Sequence, residues 1–262
     1  MKAANMTVAD DITRTNARRG RIIAIASGKG GVGKTWFAIT LAHAMALRGG
    51  SVLLFDADLG LANVDIQLGL SPQRDLGNVL MGSCTMAEAC LRHEAGFSIL
   101  PGRSGSGDLA VLHSAHQSQV TQLLFEAGAQ FASVIVDLGA GLDAFVRMMA
   151  KSADQLLILA TDEPTSLTDA YAVLKLYQRD LAPQVSAAQI VVNQAASRSA
   201  GERTYATLAR ASEAFLHTRP SLCGIVRRDE HVRDAIRRQA PLLTRHPSSE
   251  AAQDVVSLAA RL

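Results

Sequence analysis

Two lysines and four glycines within eight residues form the part of this sequence best suited to chemistry. Residues 28–35 read GKGGVGKT, which matches the pattern GxxxxGK[ST] at every fixed position. The glycines let successive backbone N–H groups turn inward around phosphate oxygens, and a helix starting at the end of the loop adds partial positive charge. We therefore predict a nucleoside triphosphate site in which Lys34 reaches the β- and γ-phosphates and the Thr35 hydroxyl binds Mg²⁺.

Three aspartates follow apolar runs and could take part in the same site. Asp56 comes directly after residues 51–55, Asp58 lies two positions further on, and Asp137 follows the apolar run 133–136. Carboxylates beside a triphosphate repel it unless a cation and water separate the charges. We expect Asp137 to hold Mg²⁺ through water, and a helix-capping role stays open for one of Asp56 and Asp58.

The elements that must position these residues follow a regular alternation. Strands are predicted at 22–26, 51–55, 97–100, 133–136, 155–160, 189–192 and 222–226. Helices are predicted at 36–47 and roughly at 117–129, 142–151, 165–181, 200–217, 229–239 and 249–261. Alternating strands and helices indicate βαβ crossovers, and continuous apolar strands are typical of a sheet covered on both faces. The predicted fold class is α/β, a three-layer P-loop NTPase fold with a mainly parallel central sheet and helices on both faces.

Polar residues stop four of the predicted strands. They are Asp56, Asp137, Asp162 and Asn193. In an open α/β sheet, ligands bind beyond the carboxyl ends of the strands. The polar residues therefore fall where that rule predicts the site.

Composition and length narrow the class of protein. The chain has 262 residues, a net charge of +2 and three cysteines without a CxxC pair. Near-neutral charge makes no strong case for nucleic acid, and the cysteine pattern argues against a disulfide framework and against an iron–sulfur or zinc site. We expect residues 1–20 to be a flexible tail that is not a signal peptide, residues 21–262 to form one domain, and the protein to be cytoplasmic.

Residues 29–35, KGGVGKT, resemble the deviant Walker A pattern KGGxGKT of the MinD/ParA group of ATPases. The resemblance implies that two chains sandwich two ATP molecules, with Lys29 crossing to the partner's phosphates. It implies that residues 56–65 form switch I, in which Asp58 orients the attacking water, and that residues 138–141, directly after Asp137, form switch II. It also implies an adenine contact from Asn193 and a second from the loop of Asp229.

Residue roles follow from the motif and the resemblance together. The predicted catalytic residues are Lys29, Lys34 and Asp58. The predicted nucleotide contacts are Gly28, Lys29, Gly30, Gly31, Val32, Gly33, Lys34, Thr35, Trp36, Asn193 and Asp229. The predicted Mg²⁺ residues are Thr35, Asp56 and Asp137. A capping or turn role for Asn193 stays open, and Arg227 stands where the family's second adenine loop usually has Pro.

Residues 162–171, DEPTSLTDAY, look like the FlhG/FleN branch, which regulates flagellar number and placement. That branch implies an FlhF-like GTPase, flagellar switch components or a flagellar transcription regulator as partners, and possible attachment at the inner membrane or cell pole. Residues 1–20 lack the branch's DQAxxLR motif, which places activation of a GTPase in doubt. The last helix has no Lys-rich face, so we expect it to pack on the core rather than on a membrane.

Other functions fit the same fold. A ParA- or MinD-type partition or cell-division ATPase could bind DNA through a basic stretch, for which a solvated helix face is the favoured alternative. That stretch consists of Arg227, Arg228, Arg233, Arg237, Arg238 and Arg245. A metabolic ligase would need a carboxylate substrate pocket, and the sequence has no separate amidotransferase region and no spare nucleophilic Cys–His arrangement. An iron–sulfur carrier would need the missing CxxC.

Overall fold

The computed structural model describes residues 19–58, 60–102, 114–180 and 188–262. Its strands are β1 (Arg21–Ala26), β2 (Val52–Ala57), β3 (Leu91–Arg92), β4 (Ser98–Leu100), β5 (Ser133–Leu138), β6 (Gln155–Ala160), β7 (Gln189–Ala195) and β8 (Ser221–Arg227). Its helices are α1 (Lys34–Leu47), α2 (Val64–Leu68), α3 (Leu76–Leu80), α4 (Met86–Ala89), α5 (Ser114–Gln130), α6 (Ala144–Lys151), α7 (Pro164–Asp180), α8 (Arg198–Leu216), α9 (Glu230–Arg237), α10 (Leu242–Arg245) and α11 (Glu250–Ala259).

The eight strands form one sheet in the order β3-β4-β2-β5-β1-β6-β7-β8. Every pairing is parallel except that of β3 with β4. Because β1 lies in the middle, the loop that follows it opens at the carboxyl edge between β5 and β6. This topology confirms the predicted α/β class with a mainly parallel sheet.

Two apolar cores cover the two faces of the sheet. Ile22 and Ala24 of β1 point into one core with α3 to α8, whereas Ile23 and Ile25 point into the other with α1, α2 and α9 to α11. Successive strand residues face opposite sides of a sheet, so a strand buried on both sides has no polar alternation. That geometry explains why β1 has an unbroken apolar sequence.

Three predicted strand ends were wrong because the strands continue past the polar residue. β2 runs through Asp56, β5 runs through Asp137, and β7 runs through Asn193. Asp56 and Asp137 lie opposite each other in the β2–β5 ladder, so backbone pairing extends the strands over the polar positions.

Predictions were made for the N-terminal residues and for the last helix, and the structure bears on them differently. Most of the predicted tail, residues 1–18, lies outside the described residues. Arg19 and Gly20 do not belong to a free tail, since Arg19 pairs with Asp154 at 2.5 Å and the Gly20 amide donates to Gly128 at 2.7 Å. In the last helix, Val255 and the residues on its face are buried in the core, as predicted. No helix in the described part of the chain combines the length and apolarity that a bilayer crossing requires.

Candidate nucleotide-binding site

The glycine-rich loop joins the end of β1 to the start of α1. Gly31 and Gly33 have φ values of 84° and 91°, a left-handed conformation that L side chains rarely adopt. A Cβ on Gly28 would lie 2.5 Å from the Cβ of Asp169, so α7 packs directly against the loop. Two different constraints, conformation and close approach, therefore account for these glycines.

The start of α1 leaves its first amides available for an anion. No side chain caps the helix at Gly33, and the first amides of a helix have no partner within it. Lys34, the first residue of the helix, is buried, and its charge lowers the pKa of Asp137. Uncapped amides and a buried lysine at one point form a phosphate-binding geometry.

Asp137 is a buried carboxylate that the protein alone does not fully satisfy. Among the described residues its Oδ1 atom has no hydrogen-bond partner, while the neighbouring Thr35 hydroxyl lowers the pKa of the carboxylate. Burial raises its pKa to about 6, although Thr35 and Lys34 act in the opposite direction. A buried, orphaned carboxylate oxygen beside a hydroxyl fits a Mg²⁺ ion.

Asp56 organises the backbone of switch I. Burial raises the pKa of Asp56 well above its usual value, and the charge of Asp137 raises it further. Its oxygens accept hydrogen bonds from the amides of Asp58 and Val64, both at 3.2 Å. Val64 begins α2, so the carboxylate contacts the start of a helix, in line with the capping alternative.

Asp58, within residues 56–65, is half-buried and faces residues 138–141. Its Oδ1 accepts from the amide of Leu61 at 3.1 Å, and a Cβ on Gly139 would lie 3.5 Å from the same oxygen. The structure thus brings Asp58 against switch II, beside the paired strands that carry Asp56 and Asp137. Leu59, the next residue of switch I, lies outside the described residues.

Lys29 is engaged within its own chain. Its Nζ lies 2.8 Å from Glu163 Oε2 and donates to Thr165 Oγ1 at 3.1 Å. Both charged side chains remain well exposed, at 40% for Lys29 and 61% for Glu163. The lysine is therefore held at the start of α7 by a contact that solvent can replace.

A cavity of about 290 Å³ opens beside the loop at the carboxyl ends of β7 and β8. Its lining includes Gly31 and Gly33 of the loop, Trp36 of α1, Asn193, Gln194 and residues 227–229. The size and position suit the base and sugar of a nucleotide whose phosphates occupy the loop. The structure thus brings both predicted base-contact residues, Asn193 and Asp229, to one cavity.

Both predicted base contacts also have local partners. Asn193 is buried and its Nδ2 donates to the carbonyl of Val32 at 2.7 Å, which ties β7 to the loop. Asp229 caps α9, because its side chain accepts from the amide of His231 at 2.9 Å. Its other oxygen accepts from the amide of Ala251 at 3.1 Å.

Gln194 is a site residue that the sequence did not single out. It has a φ of 57°, rare for a residue with a side chain, and its Nε2 donates to the carbonyl of Gly31 at 3.3 Å. Backbone strain of this kind persists only where neighbouring structure enforces it. The only available signal was its place directly after Asn193, which by itself does not distinguish it.

Within the described part of the chain, no group of three or more His, Cys, Asp or Glu side chains is arranged to hold a metal. Mg²⁺ usually keeps several waters and binds through one or two carboxylates plus substrate phosphates. The pair of Thr35 and Asp137 is consistent with that mode of binding and not with an all-protein cage.

The chain is similar in sequence to nucleotide-binding proteins of a known family. The family model of the CobQ/CobB/MinD/ParA nucleotide binding domain matches residues 23–242. The chain is 36% identical to antiactivator FleN of Pseudomonas aeruginosa over 88% of this chain and 82% of that protein. It is 32% identical to flagellum site-determining protein YlxH of Helicobacter pylori over 71% of this chain and 63% of that protein.

Solved structures extend the likeness to the fold. The cell division ATPase MinD of Pyrococcus furiosus superposes with a TM-score of 0.76 at 26% identity, covering 92% of this chain and 97% of that one. MinD of Pyrococcus horikoshii, solved with Mg-ADP, superposes with a TM-score of 0.75 at 24% identity, covering 92% and 95%. The chain belongs to the CobQ/CobB/MinD/ParA family, as a nucleotide-binding P-loop ATPase of the MinD/ParA type.

Proposed function

We propose that this protein is a Mg²⁺-dependent ATPase that acts as a nucleotide-driven dimerisation switch and regulates flagellar number and placement. The ATPase proposal rests on three groups that lie together at the start of α1. Uncapped helix amides, the buried Lys34 and the orphaned Asp137 oxygen meet at one edge of the sheet. Each group is costly to bury unless an anion and a cation complete it.

The residues present fit ATP and ADP together with Mg²⁺. Thr35 and Asp137 would hold the ion, with Asp56 behind them, and the bound ion would neutralise charge on the β- and γ-phosphates. The loop amides and Lys34 would bind the phosphates. Asn193 and the rest of the cavity lining would receive the base.

Asp58 is the proposed water-orienting residue. Its carboxylate, in switch I, faces switch II and accepts from a backbone amide, which leaves oxygen lone pairs free to accept from a water molecule. A water held there would attack the γ-phosphate in line, and Lys34 and Lys29 would stabilise the charge on the transferring group. Loss of the γ-phosphate would then release both switches.

Lys29 is the proposed link between the two chains of an ATP-bound dimer. In the single chain its ammonium is held by Glu163 and Thr165. To reach a partner's phosphates it must leave both, and an exposed ion pair of this kind is easily exchanged. The contact would therefore keep the lysine in place until a partner's nucleotide competes for it.

The flagellar role rests on similarity to antiactivator FleN and to flagellum site-determining protein YlxH, together with residues 162–171. The proposed partners are an FlhF-like GTPase, flagellar switch components or a flagellar transcription regulator. We propose that the protein works in the cytoplasm and reaches the inner membrane or cell pole through such partners.

A partition or cell-division ATPase of the ParA/MinD type is the second candidate, and the likeness to MinD structures favours it. Non-specific DNA binding by this chain is less well supported. Arg227 pairs with Asp254, and Arg245 pairs with Asp234 at 2.5 Å, so part of the basic stretch is already neutralised. ATP-dependent, salt-sensitive retention on DNA would favour this alternative.

The test is to measure ATP turnover and ATP-dependent dimerisation in two variants. We expect Asp58→Ala to dimerise with ATP while hydrolysing it about a hundredfold more slowly or worse, as for loss of a catalytic proton-transfer or water-positioning group. We expect Lys29→Ala to bind ATP and remain monomeric, and Lys175→Ala, an exposed lysine of α7, to behave as the wild type. Normal turnover in Asp58→Ala would remove its role, and normal dimers in Lys29→Ala would refute the crossing lysine.

A pull-down from the native cell with Asp58→Ala as bait, compared with the wild type, tests the biological role. Enrichment of a flagellar regulator or GTPase in the ATP-locked variant is the expected result. Enrichment of division or partition proteins instead would replace the flagellar proposal by the second candidate.

A further inference from the structure

Asp254 of α11 is a buried carboxylate outside the phosphate site, and its side chain has no solvent-exposed surface. It accepts from Arg227 through Nε at 2.8 Å and Nη2 at 3.0 Å, and from the Arg227 amide at 3.0 Å. Arg198, at the start of α8, donates to it at 2.6 Å. One carboxylate of α11 thus joins the end of β8 to the first residue of α8.

The strand end that Asp254 contacts lines the cavity of about 290 Å³ beside the loop, which we call the base-side cavity. Residues 227–229 line that cavity. The same short segment is held at its other end, because Asp229 accepts from the amide of Ala251, which also belongs to α11. Helix α11 therefore bonds to both ends of the segment 227–229, although no residue of α11 lines the cavity.

We propose that Asp254 is a positioning residue for the base end of the nucleotide, acting through Arg227 and the segment 227–229. This inference rests on the proposed function, because it assigns the base of a purine nucleotide to this cavity. A guanidinium held in two-point contact with a carboxylate has a fixed plane and little freedom. A wall fixed before binding reduces the ordering cost of taking up the ligand.

The same network also restrains the backbone at Arg227. Here the backbone amide of Arg227 and its side chain both bond to Asp254, and the next amide, that of Arg228, donates to Ala195 at 2.8 Å. Hydrogen bonds to α11 and to the end of β7 thus fix the backbone of this segment.

The experiment compares the binding of Mg-ATP with that of Mg-tripolyphosphate, which has the phosphates but no base. Trp36 is the only tryptophan and lines the cavity, so its fluorescence reports binding. In Asp254→Asn and in Arg227→Lys we expect ATP affinity to fall about tenfold and tripolyphosphate affinity to stay unchanged. Arg198→Ala is the matched control, because Arg198 bonds to the same carboxylate but does not line the cavity, and its ATP affinity should match the wild type.

Two results would refute the positioning role of Asp254, and a third would refute the proposed function. Unchanged ATP affinity in folded Asp254→Asn and Arg227→Lys refutes the positioning role, and equal losses of ATP and tripolyphosphate reduce Asp254 to a stabilising contact. If Asp254→Asn does not fold, Arg227→Lys decides, because it keeps the charge and loses the two-point geometry. A wild-type protein that binds neither ligand refutes the proposed function itself.

Discussion

Replacing Asp137 by asparagine should stabilise the nucleotide-free protein at neutral pH. The pKa of Asp137 is raised to about 6 from an ordinary value of 3.8, chiefly by burial. The two values differ by about 2 units, and each unit corresponds to about 1.4 kcal/mol, so ionising this carboxylate inside the fold costs about 3 kcal/mol. Asparagine has nearly the same shape, keeps an acceptor for Thr35 and carries no charge.

The sign of the pH dependence follows from proton binding. Between pH 3.8 and about pH 6 the folded state holds more protons at this group than the unfolded state does. The contribution of Asp137 to the free energy of unfolding of the wild type therefore decreases as pH rises through this window. The advantage of Asp137→Asn should be largest above pH 7 and should fall to about half at pH 5.

The assay is urea unfolding followed by circular dichroism at pH 7.5 and pH 5, with EDTA and without nucleotide. Asp143→Asn is the matched control, because Asp143 is an exposed helix cap and asparagine caps a helix as well as aspartate does. In the wild type Mg²⁺ should increase the affinity for ATP, and in Asp137→Asn this increase should be lost. Asp137→Asn that is less stable than the wild type at pH 7.5, or whose advantage does not change with pH, would refute the reasoning.

Two further predictions test the loop contact and the packing behind the base-side cavity. Glu163→Gln removes the ion pair that holds Lys29, so ATP-dependent dimers should form at a protein concentration a few fold lower than in the wild type. Sedimentation measures this concentration, and weaker dimerisation of the variant would contradict the prediction. Gly201→Ala places a Cβ 2.4 Å from Ile225 and should cost about 1–3 kcal/mol of unfolding free energy in urea. Gly60→Ala, with nothing within 4 Å of the added Cβ, should change it by less than about 0.5 kcal/mol; equal effects of the two substitutions would refute the packing argument.

The parts of the fold that sequence reasoning predicted are those with strong local signals. The continuous apolar runs of the central strands and the glycine spacing of residues 28–35 each have one physical interpretation. The ends of β2, β5 and β7 were placed too early, because a strand ends where its neighbours stop pairing with it. That information lies in residues far away in the chain, such as Asp137 opposite Asp56.

The short helices α2, α3, α4 and α10, and the antiparallel strand β3, were not predicted. Each has five residues or fewer, too few for hydrophobic periodicity to appear. For α4 a signal was nevertheless present, since Thr85 and Glu88 form a capping box with the spacing that marks a helix start. The equivalent box at α3 uses Asp75 and Asn78, a less common pair that pattern reading alone does not single out.

The candidate site divides in the same way between local and distant information. The loop residues could be assigned from their own spacing, whereas the left-handed Gln194 and the Arg227–Asp254 network depend on contacts across the fold. Residues 162–171 carry both local and distant information. In the sequence they serve only to indicate a branch of the family, but in the structure Glu163 and Thr165 are the partners of Lys29.

That coincidence has a physical consequence for how the family branch is interpreted. If Lys29 crosses to the partner as proposed, the segment that holds it in the single chain would shift the balance between monomer and dimer. Residues at Glu163 and Thr165 that bond less strongly to an ammonium would leave Lys29 free earlier and favour dimers at lower concentration. The segment that indicates the branch would then also set the protein concentration at which dimers form.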